Sequence, residues 1–174
     1  MIDRRSVVGV FLALPFSNSV FAQACLGTAP QTEGPFFKTD TPLRTSFIEK
    51  GSKSRFLLEG SVLTKGCKPI PNALLEFWHA DEAGEYDNRG QRYRGHQHAD
   101  AQGRYRLETI VPALYPGRAR HGHVKVQAPG RRVLTTQLYF AGDPGNARDS
   151  LFDLSLVIRS TTPGAGNFDF VVEA

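Results

Sequence analysis

The sequence is poor in the features that mark several classes of protein. Its 174 residues include two cysteines, one tryptophan and one methionine. It has no internal repeat, no heptad pattern and no uninterrupted apolar run of about 18 residues, which excludes a repeat array, a coiled coil and a mature membrane-spanning helix. The cysteines are far apart and form no CxxC pair, which argues against a metal site built from thiolates.

The sequence also lacks a large excess of charge of one sign. The formal net charge is +4, and it falls to +3 when residues 1–22 are removed together with Asp3, Arg4 and Arg5. This balance gives no reason to expect a nucleic-acid partner. The arginines do cluster, which predicts either a local positive field for a small anionic ligand or ordinary solvated strand faces. The clusters are Arg89, Arg92 and Arg94; Arg104 and Arg106; Arg118 and Arg120; and Arg131 and Arg132.

Residues 1–22 have the pattern of an export signal. Arg4 and Arg5 form a short basic start, an apolar run covers residues 7–16, and residues 20–22 provide a cleavage site that ends in alanine. The paired arginines also resemble a twin-arginine signal, which exports proteins already folded. We therefore predict an exported protein of the periplasm or cell envelope.

Two fates of Cys25 stay open. In an oxidising compartment Cys25 can pair with Cys67 and tie the N-terminal arm to the domain. Residues 22–25, AQAC, also resemble a weak lipoprotein cleavage box, which would attach a lipid to Cys25. Contact with a membrane is expected only in that second case.

The rest of the chain is predicted to be one all-β domain behind an arm. Residues 23–54 form the N-terminal arm, anchored by Phe36 and Phe37, and residues 55–174 form the domain. Short apolar or alternating segments between Gly, Pro, Asn and Asp clusters predict an antiparallel β-sandwich of about seven to eight strands, with long loops carrying the site. The segments are residues 55–64, 73–80, 93–98, 104–110, 121–126, 132–140, 153–159 and 167–173. The first two are predicted to form a β-hairpin.

The segment at residues 109–126 holds the most functional information. In its strand His121, His123 and Lys125 alternate with apolar residues, so the two histidines share one face and the valines take the other. With Tyr115 just upstream, the imidazoles could converge on a metal ion. The alternative is an exposed strand whose histidines meet only water, and this segment alone does not decide between them.

Tyr86 lies on a predicted loop and adds a second tyrosine to Tyr115, His121 and His123. If these four side chains share one metal, two phenolates and two neutral imidazoles make a hard, anionic site that suits ferric iron. A free phenol has a pKa of about 10, so the metal must be a strong Lewis acid to displace the proton near neutral pH.

The order of several segments from residue 31 to about residue 149 resembles the intradiol ring-cleaving dioxygenases, the class of the protocatechuate and catechol dioxygenases. Each segment alone is a weak match, whereas their order and completeness are specific. The segments are TEGPFF at 32–37, LEGSVLTKGCKPIPNALLEFWHADEAGEYDN at 58–88, YRGHQHADAQGRYRLETIVPALYPGR at 93–118, HGHVKV at 121–126 and LTTQLYFAGDP at 134–144.

The resemblance implies a β-sandwich with one non-haem Fe(III). The family's ligand positions fall on Tyr86, Tyr115, His121 and His123, with Tyr115 and His123 at the axial positions. Arg118 matches an arginine that stabilises the electron-rich substrate ring, and Gln137 matches a glutamine that helps to hold the site together. The implied partners are a catechol and dioxygen, and the implied product is a muconate-type dicarboxylate. A homo-oligomer is compatible with the sequence.

Two departures from the family pattern concern the same segment. Five residues separate Tyr115 from His121, which implies a shortened loop and a more open active site. Gly122 stands where a branched apolar residue is usual, which loosens the strand.

The other histidines are not expected to bind the metal under this interpretation. His96 and His98 form a second H-x-H pair that spacing alone makes as good a metal candidate, but they match non-ligand positions and are expected to be solvated. His79 is expected to be a strand-end histidine bonded to its neighbours. A second class of function also stays open, because residues 58–78 resemble transthyretin-like modules, which bind partners without a metal.

Overall fold

The structure, a computed structural model, describes residues 25–52 and 54–174. The predicted export signal at residues 1–22 lies outside the described residues and stays a prediction. The described residues form nine strands and two single-turn 3-10 helices, the latter at Asn146–Arg148 and Leu154–Leu156. The strands are β1 Phe56–Thr64, β2 Leu74–His79, β3 Arg94–His98, β4 Arg104–Thr109, β5 His121–Gln127, β6 Leu134–Phe140, β7 Val157–Thr162, β8 Ala165–Asn167 and β9 Phe170–Val172.

The strands follow the order β3-β2-β5-β6-β7-β8-β1-β4, with β9 also paired to β1. This is a β-sandwich in which β3-β2-β5-β6 form one layer, and a short pairing of β6 with β7 leads into the other. The predicted all-β sandwich is confirmed. Its strand number rises to nine, and three pairings are parallel instead of antiparallel: β1 with β8, β1 with β9, and β6 with β7. In the part of the chain that the structure describes, no helix is long and apolar enough to span a membrane.

The predicted hairpin of the first two strands is wrong. After β1 the chain turns back for one bridge, between Leu63 and Pro69, and the Ile70 amide still donates to the Val62 carbonyl at 2.8 Å. Pro71 has no amide hydrogen, so this ladder cannot extend further. The chain then crosses to the other layer, where β2 pairs with β3 and β5.

The two C-terminal segments also differ from the prediction. Residues 154–156 form a 3-10 turn, because the Asp153 carboxylate accepts the Ser155 amide at 2.8 Å and fixes a helical start. The predicted strand at residues 167–173 is divided between β8 and β9. The division occurs where the Asp169 side chain, instead of a backbone carbonyl, accepts the Ser61 amide at 2.9 Å.

The arm covers the outer face of β5, which is the face of its histidines. On the inner face Val124 and Val126 belong to the main core between the layers. On the outer face the Lys125 ammonium pairs with Glu33 and lies 4.5 Å from the centre of the Phe37 ring. The alternation predicted from sequence is confirmed, and the histidine face is covered by protein instead of water.

A disulfide joins Cys25 to Cys67, with 5.3 Å between their Cα atoms. The Cys25 amide also donates to the Lys65 carbonyl at 2.9 Å, so the described arm is held at its first residue. A sulfur in a disulfide cannot also carry a lipid thioether. The lipid alternative for Cys25, and with it the only predicted membrane contact, is therefore inconsistent with this structure.

Candidate metal centre

Three donor atoms converge beneath the arm. The Tyr86 hydroxyl oxygen lies 3.3 Å from Nε2 of His121 and 3.1 Å from Nε2 of His123. The two imidazoles are neighbours because β5 alternates, and their ring centres are 4.9 Å apart. Tyr86 comes from the loop after β2, so two separate segments meet at one point.

His121 presents an unprotonated Nε2 atom to this point, whereas Nδ1 of the buried His123 has no hydrogen-bond partner within the described residues. His121 donates its Nδ1 proton to the Ala119 carbonyl at 2.7 Å, which leaves the lone pair on Nε2. Burial lowers the pKa of His121 to about 4 and the pKa of His123 well below its ordinary value. Burial also raises the pKa of Tyr86. Without a metal, therefore, two neutral imidazoles face a protonated phenol.

Tyr115 reaches the same place through its ring. The ring centre lies 5.8 Å from that of Tyr86 and 5.5 Å from that of Phe36, both edge-on. The Tyr115 side chain is half-buried, whereas Tyr86 is 8% exposed. Within the described residues the Tyr115 hydroxyl makes no hydrogen bond to the other three side chains. Tyr115 is thus the least constrained of the four.

Two aromatic side chains, which the sequence argument did not assign to the site, fix the orientation of the donors. Phe36 of the arm stacks on Tyr86, with ring centres 4.3 Å apart and planes 13° from parallel. Trp78 stacks on His123 at 5.0 Å and 7°. Gly34 allows the arm this close, because it has a φ of +70° and a Cβ there would lie 3.2 Å from Cε1 of His123. The β2–β5 register, which pairs Trp78 with His123, is the signal that could have identified the tryptophan.

Arg118 lies beside the donors in a buried polar network. Its Nε contacts both carboxylate oxygens of Asp149 at 3.0 and 2.9 Å, and its Nη2 donates to Oε1 of Gln137 at 2.7 Å. Gln137 is opposite His123 in the β5–β6 register and donates its amide to the Thr32 carbonyl at 2.8 Å. The structure therefore brings Arg118 and Gln137 together. Asp149, absent from the sequence argument, is the residue that holds the arginine.

The remaining histidines do not form a second site. His79 bonds the Ala80 carbonyl at 2.7 Å and the Thr109 hydroxyl at 2.6 Å, which confirms the expected strand-end histidine. His98 is exposed as expected, whereas His96 is half-buried and lies 3.3 Å from the Thr41 hydroxyl. Among the described residues, no group of three or more His, Cys, Asp or Glu side chains is placed to hold a metal. A metal would have to use the tyrosines.

Most of the clustered arginines are paired with carboxylates, so they do not form a free positive field. The ion pairs are Arg92 with Asp81, Arg104 with Asp100, Arg106 with Glu59 and Glu108, Arg118 with Asp149, and Arg120 with Asp143.

Comparison with known proteins identifies the family of this chain. The family model described as dioxygenase matches residues 32–159, most of the chain. The chain belongs to the intradiol ring-cleavage dioxygenase family. The family match includes the donor residues, Arg118, Gln137 and Asp149, together with most of the arm that covers them.

Individual relatives agree with this membership. A chlorocatechol 1,2-dioxygenase of Pseudomonas sp. (strain P51) is 30% identical over 200 residues, which cover 95% of this chain and 80% of the relative. The protocatechuate 3,4-dioxygenase beta chain of Burkholderia cepacia is 37% identical over 134 residues, or 65% of this chain. The chain spans 57% of that protein and 57% of the hydroxyquinol 1,2-dioxygenase of Rhodococcus opacus, little more than half of each.

One solved structure is similar over almost its whole length. It is the dioxygenase domain of a dioxygenase carbohydrate-binding protein fusion from Streptomyces sp. SirexAA-E, with 51% identity and a TM-score of 0.81. The alignment covers 85% of this chain and 99% of that domain. A sandwich of this size therefore occurs as a dioxygenase domain without the additional length of the larger relatives.

Proposed function

We propose that this protein cleaves a catechol-type aromatic ring between its two hydroxylated carbons, using dioxygen and one non-haem Fe(III), and releases a muconate-type dicarboxylate. The observation that carries the proposal is the convergence of the Tyr86 oxygen and the two imidazole Nε2 atoms within 3.3 Å beneath the arm. Membership of the intradiol family supports the reaction class.

The donor set fits a ferric ion. Tyr86, Tyr115, His121 and His123 would hold it. Tyrosinate oxygen and imidazole nitrogen are hard to borderline ligands, and a buried phenol loses its proton to solvent near neutral pH only when a strongly charged Lewis acid binds the phenolate. When bound, the iron supplies Lewis acidity that holds a catechol as its dianion and activates the ring toward dioxygen.

Three residues of the chain have separate roles in binding the catechol. A catechol must lose two protons to bind through both oxygens. Because Tyr115 is half-buried and not hydrogen-bonded to the other donors, we assign its phenolate oxygen to take up one of these protons and move away from the site. The second proton would pass to a solvent hydroxide or water. Tyr86 is clamped by Phe36 and stays in place. In Arg118, Nε and Nη2 are occupied by Asp149 and Gln137, which leaves Nη1 to face the electron-rich ring.

The alternative function, a transthyretin-like module that binds partners without a metal, explains less. Such a module has no need to place two neutral imidazoles, two tyrosines and an arginine in one largely buried cluster. Buried polar side chains that face one another without a ligand are unfavourable, so a cluster of this kind is expected to be retained for binding something.

The proposal is tested by oxygen uptake with a panel of catechols. The iron-loaded protein should consume one dioxygen per catechol and yield a ring-opened dicarboxylic acid, identified by mass spectrometry. Tyr115→Phe should strongly slow turnover, whereas Tyr93→Phe, which removes a hydroxyl bonded to Glu82 away from the site, should not. An unchanged rate for Tyr115→Phe would remove Tyr115 from the mechanism, and no uptake with any catechol would contradict the proposed reaction.

The proposal includes export of the protein. The disulfide between Cys25 and Cys67 supports it, because such bonds persist in oxidising compartments outside the cytosol. The predicted signal at residues 1–22 would be the route. Fractionation of cells that express the whole chain tests it: the protein should appear outside the cytoplasm, and loss of export on Arg4→Lys and Arg5→Lys would identify the twin-arginine route.

A further inference from the structure

A small apolar cavity lies inside the sandwich, directly beneath the strand that carries the two histidines. Its volume is about 30 Å³, and its accessible lining is entirely apolar. Gly122 and Val124 of β5, Leu138 of β6 and Ile158 of β7 contribute to its wall. These residues lie on the inner face of β5, opposite the face on which the histidines meet Tyr86, and His123 and Trp78 of the outer face also contribute to the lining.

A second observation shows the same opening. On the inner face Gly122 lies between His79 of β2 and Leu138 of β6. A Cβ placed on Gly122 would have the His79 Cβ, at 3.9 Å, as its one contact within 4 Å apart from its chain neighbours. The missing side chain at Gly122 thus leaves the core unfilled at the point between the two histidines.

The chemistry of the lining restricts what can occupy this space. A buried water needs about two to four polar partners. Among the polar side chains of the lining, His79 and Thr109 are bonded to each other, and His79 also bonds the Ala80 carbonyl. Nε1 of Trp78 and Nδ1 of His123 have no hydrogen-bond partner in the part of the chain that the structure describes, but no polar surface of the lining is exposed to the cavity. Apolar cavities of this kind stay dry and take up apolar molecules or xenon. The volume admits a molecule of a few atoms at most.

We propose that this cavity is a holding site for dioxygen, a small apolar molecule that the reaction consumes. The identity of the occupant rests on the proposed function. Dioxygen held here would be next to the metal centre but separate from the catechol, which under the proposed function binds on the face of β5 that carries the donors. Ile110 and Pro112 also line the cavity and begin the loop that carries Tyr115, so the cavity adjoins the segment that leads round the strand end to the site.

A surface cavity adjoins the inner cavity on the other side. This surface cavity, of about 290 Å³, lies where Phe56, Phe140 and Ile158 meet, and these three residues also line the inner cavity. The Phe56 and Phe140 rings pack edge to face at 5.3 Å between the two spaces. Rotation of one ring would connect them for a molecule as small as dioxygen.

Paired variants test the proposal. Gly122→Val fills the cavity, and Ile158→Val enlarges it by one methylene. Ile70→Val makes the same chemical change at a buried core position that does not line the cavity, and serves as the control. Crystals under xenon pressure should show xenon in the cavity of the unaltered protein, more in Ile158→Val, and none in Gly122→Val.

Kinetics give the second readout. In the iron-loaded protein Gly122→Val should raise KM for dioxygen about fivefold, which corresponds to about 1 kcal/mol, with KM for catechol unchanged. Ile70→Val should leave both constants unchanged. Absence of xenon from the unaltered cavity, or an unchanged KM for dioxygen in a variant that excludes xenon, would overturn the proposal. Xenon binding needs neither iron nor catechol, so failure of the proposed reaction would be seen separately as absence of ring cleavage.

Discussion

Asp149→Asn is the change that most directly separates the proposed catalytic role of Arg118 from its role in stability. The Asp149 side chain is 1% exposed and accepts from Arg118 through both oxygens. It also accepts the backbone amides of Ala119 and Leu151, each at 2.9 Å. An asparagine of the same shape removes the negative charge and turns an amide group toward one of these donors.

The expected loss of stability can be worked from this geometry. Removing one partner of a buried ion pair costs roughly 3 to 5 kcal/mol. The Arg118 side chain is 19% exposed, so water can partly solvate the unpaired guanidinium. We therefore expect a loss of about 3 kcal/mol in the free energy of unfolding, measured by urea denaturation of the metal-free protein.

Asp143→Asn provides the matched control. The Asp143 side chain is also 1% exposed and pairs with an arginine, Arg120, at 2.9 Å, but this arginine lines the surface cavity instead of the metal centre. In oxygen-saturated buffer, kcat/KM for catechol should fall at least about tenfold in Asp149→Asn and stay within about twofold in Asp143→Asn. Equal losses of activity in the two variants would refute the claim that Asp149 acts by positioning Arg118.

Two further predictions concern stability alone. Burial lowers the pKa of His79 from 6.5 to about 4. The stability that neutral, buried His79 contributes is therefore fully present above pH 6.5 and is lost as the pH falls toward 4. In the metal-free protein His79 should account for roughly 2 to 3 kcal/mol of the loss between pH 7 and pH 4.5, and an equal pH dependence in His79→Gln would contradict this. Replacing Cys25 and Cys67 together by serine opens a loop with a sequence separation of 42. Denaturant titrations should then show a free energy of unfolding lower by up to about 4 kcal/mol. A change below about 1 kcal/mol would show that the disulfide does not constrain the unfolded chain.

Local periodicity predicted the parts of the fold that depend on neighbouring residues. Alternation along β5 placed His121 and His123 on one face, and this follows from strand geometry without knowledge of any partner. Strand positions were mostly right for the same reason. The pairing of β1 was not predictable in this way, because its partners β4, β8 and β9 are brought to it by loops whose closure the sequence pattern does not encode.

The candidate site was predictable as a set of residue types and less so as a structure. Tyr86 and Tyr115 were candidate donors from their residue type, but only the family resemblance assigned them ligand positions, since no spacing rule links a loop tyrosine to a histidine 35 residues away. The roles of Arg118 and Gln137 also came from the resemblance. Asp149 escaped notice because a surface turn is the usual place for an aspartate in a loop of this composition. Its burial against Arg118 is a tertiary contact across 31 residues.

The arm shows the same limit. Its composition predicted an ordered segment anchored by Phe36 and Phe37, and both rings are indeed packed against the domain. What composition could not show is that Phe36 stacks on Tyr86 itself. The arm is therefore part of the candidate site, and the boundary drawn at residue 55 separates the strands from a segment that functions with them.

An iron titration followed by visible absorption tests the central claim most directly. We predict that the purified protein binds one Fe(III) per chain and develops a tyrosinate-to-iron absorption band, which changes when catechol is added. Tyr86→Phe should remove much of that band, whereas Tyr105→Phe, a buried tyrosine bonded to the Phe168 carbonyl, should leave it unchanged. A protein that stays colourless with iron, or a band that is the same in Tyr86→Phe, would contradict a metal centre built on Tyr86, His121 and His123.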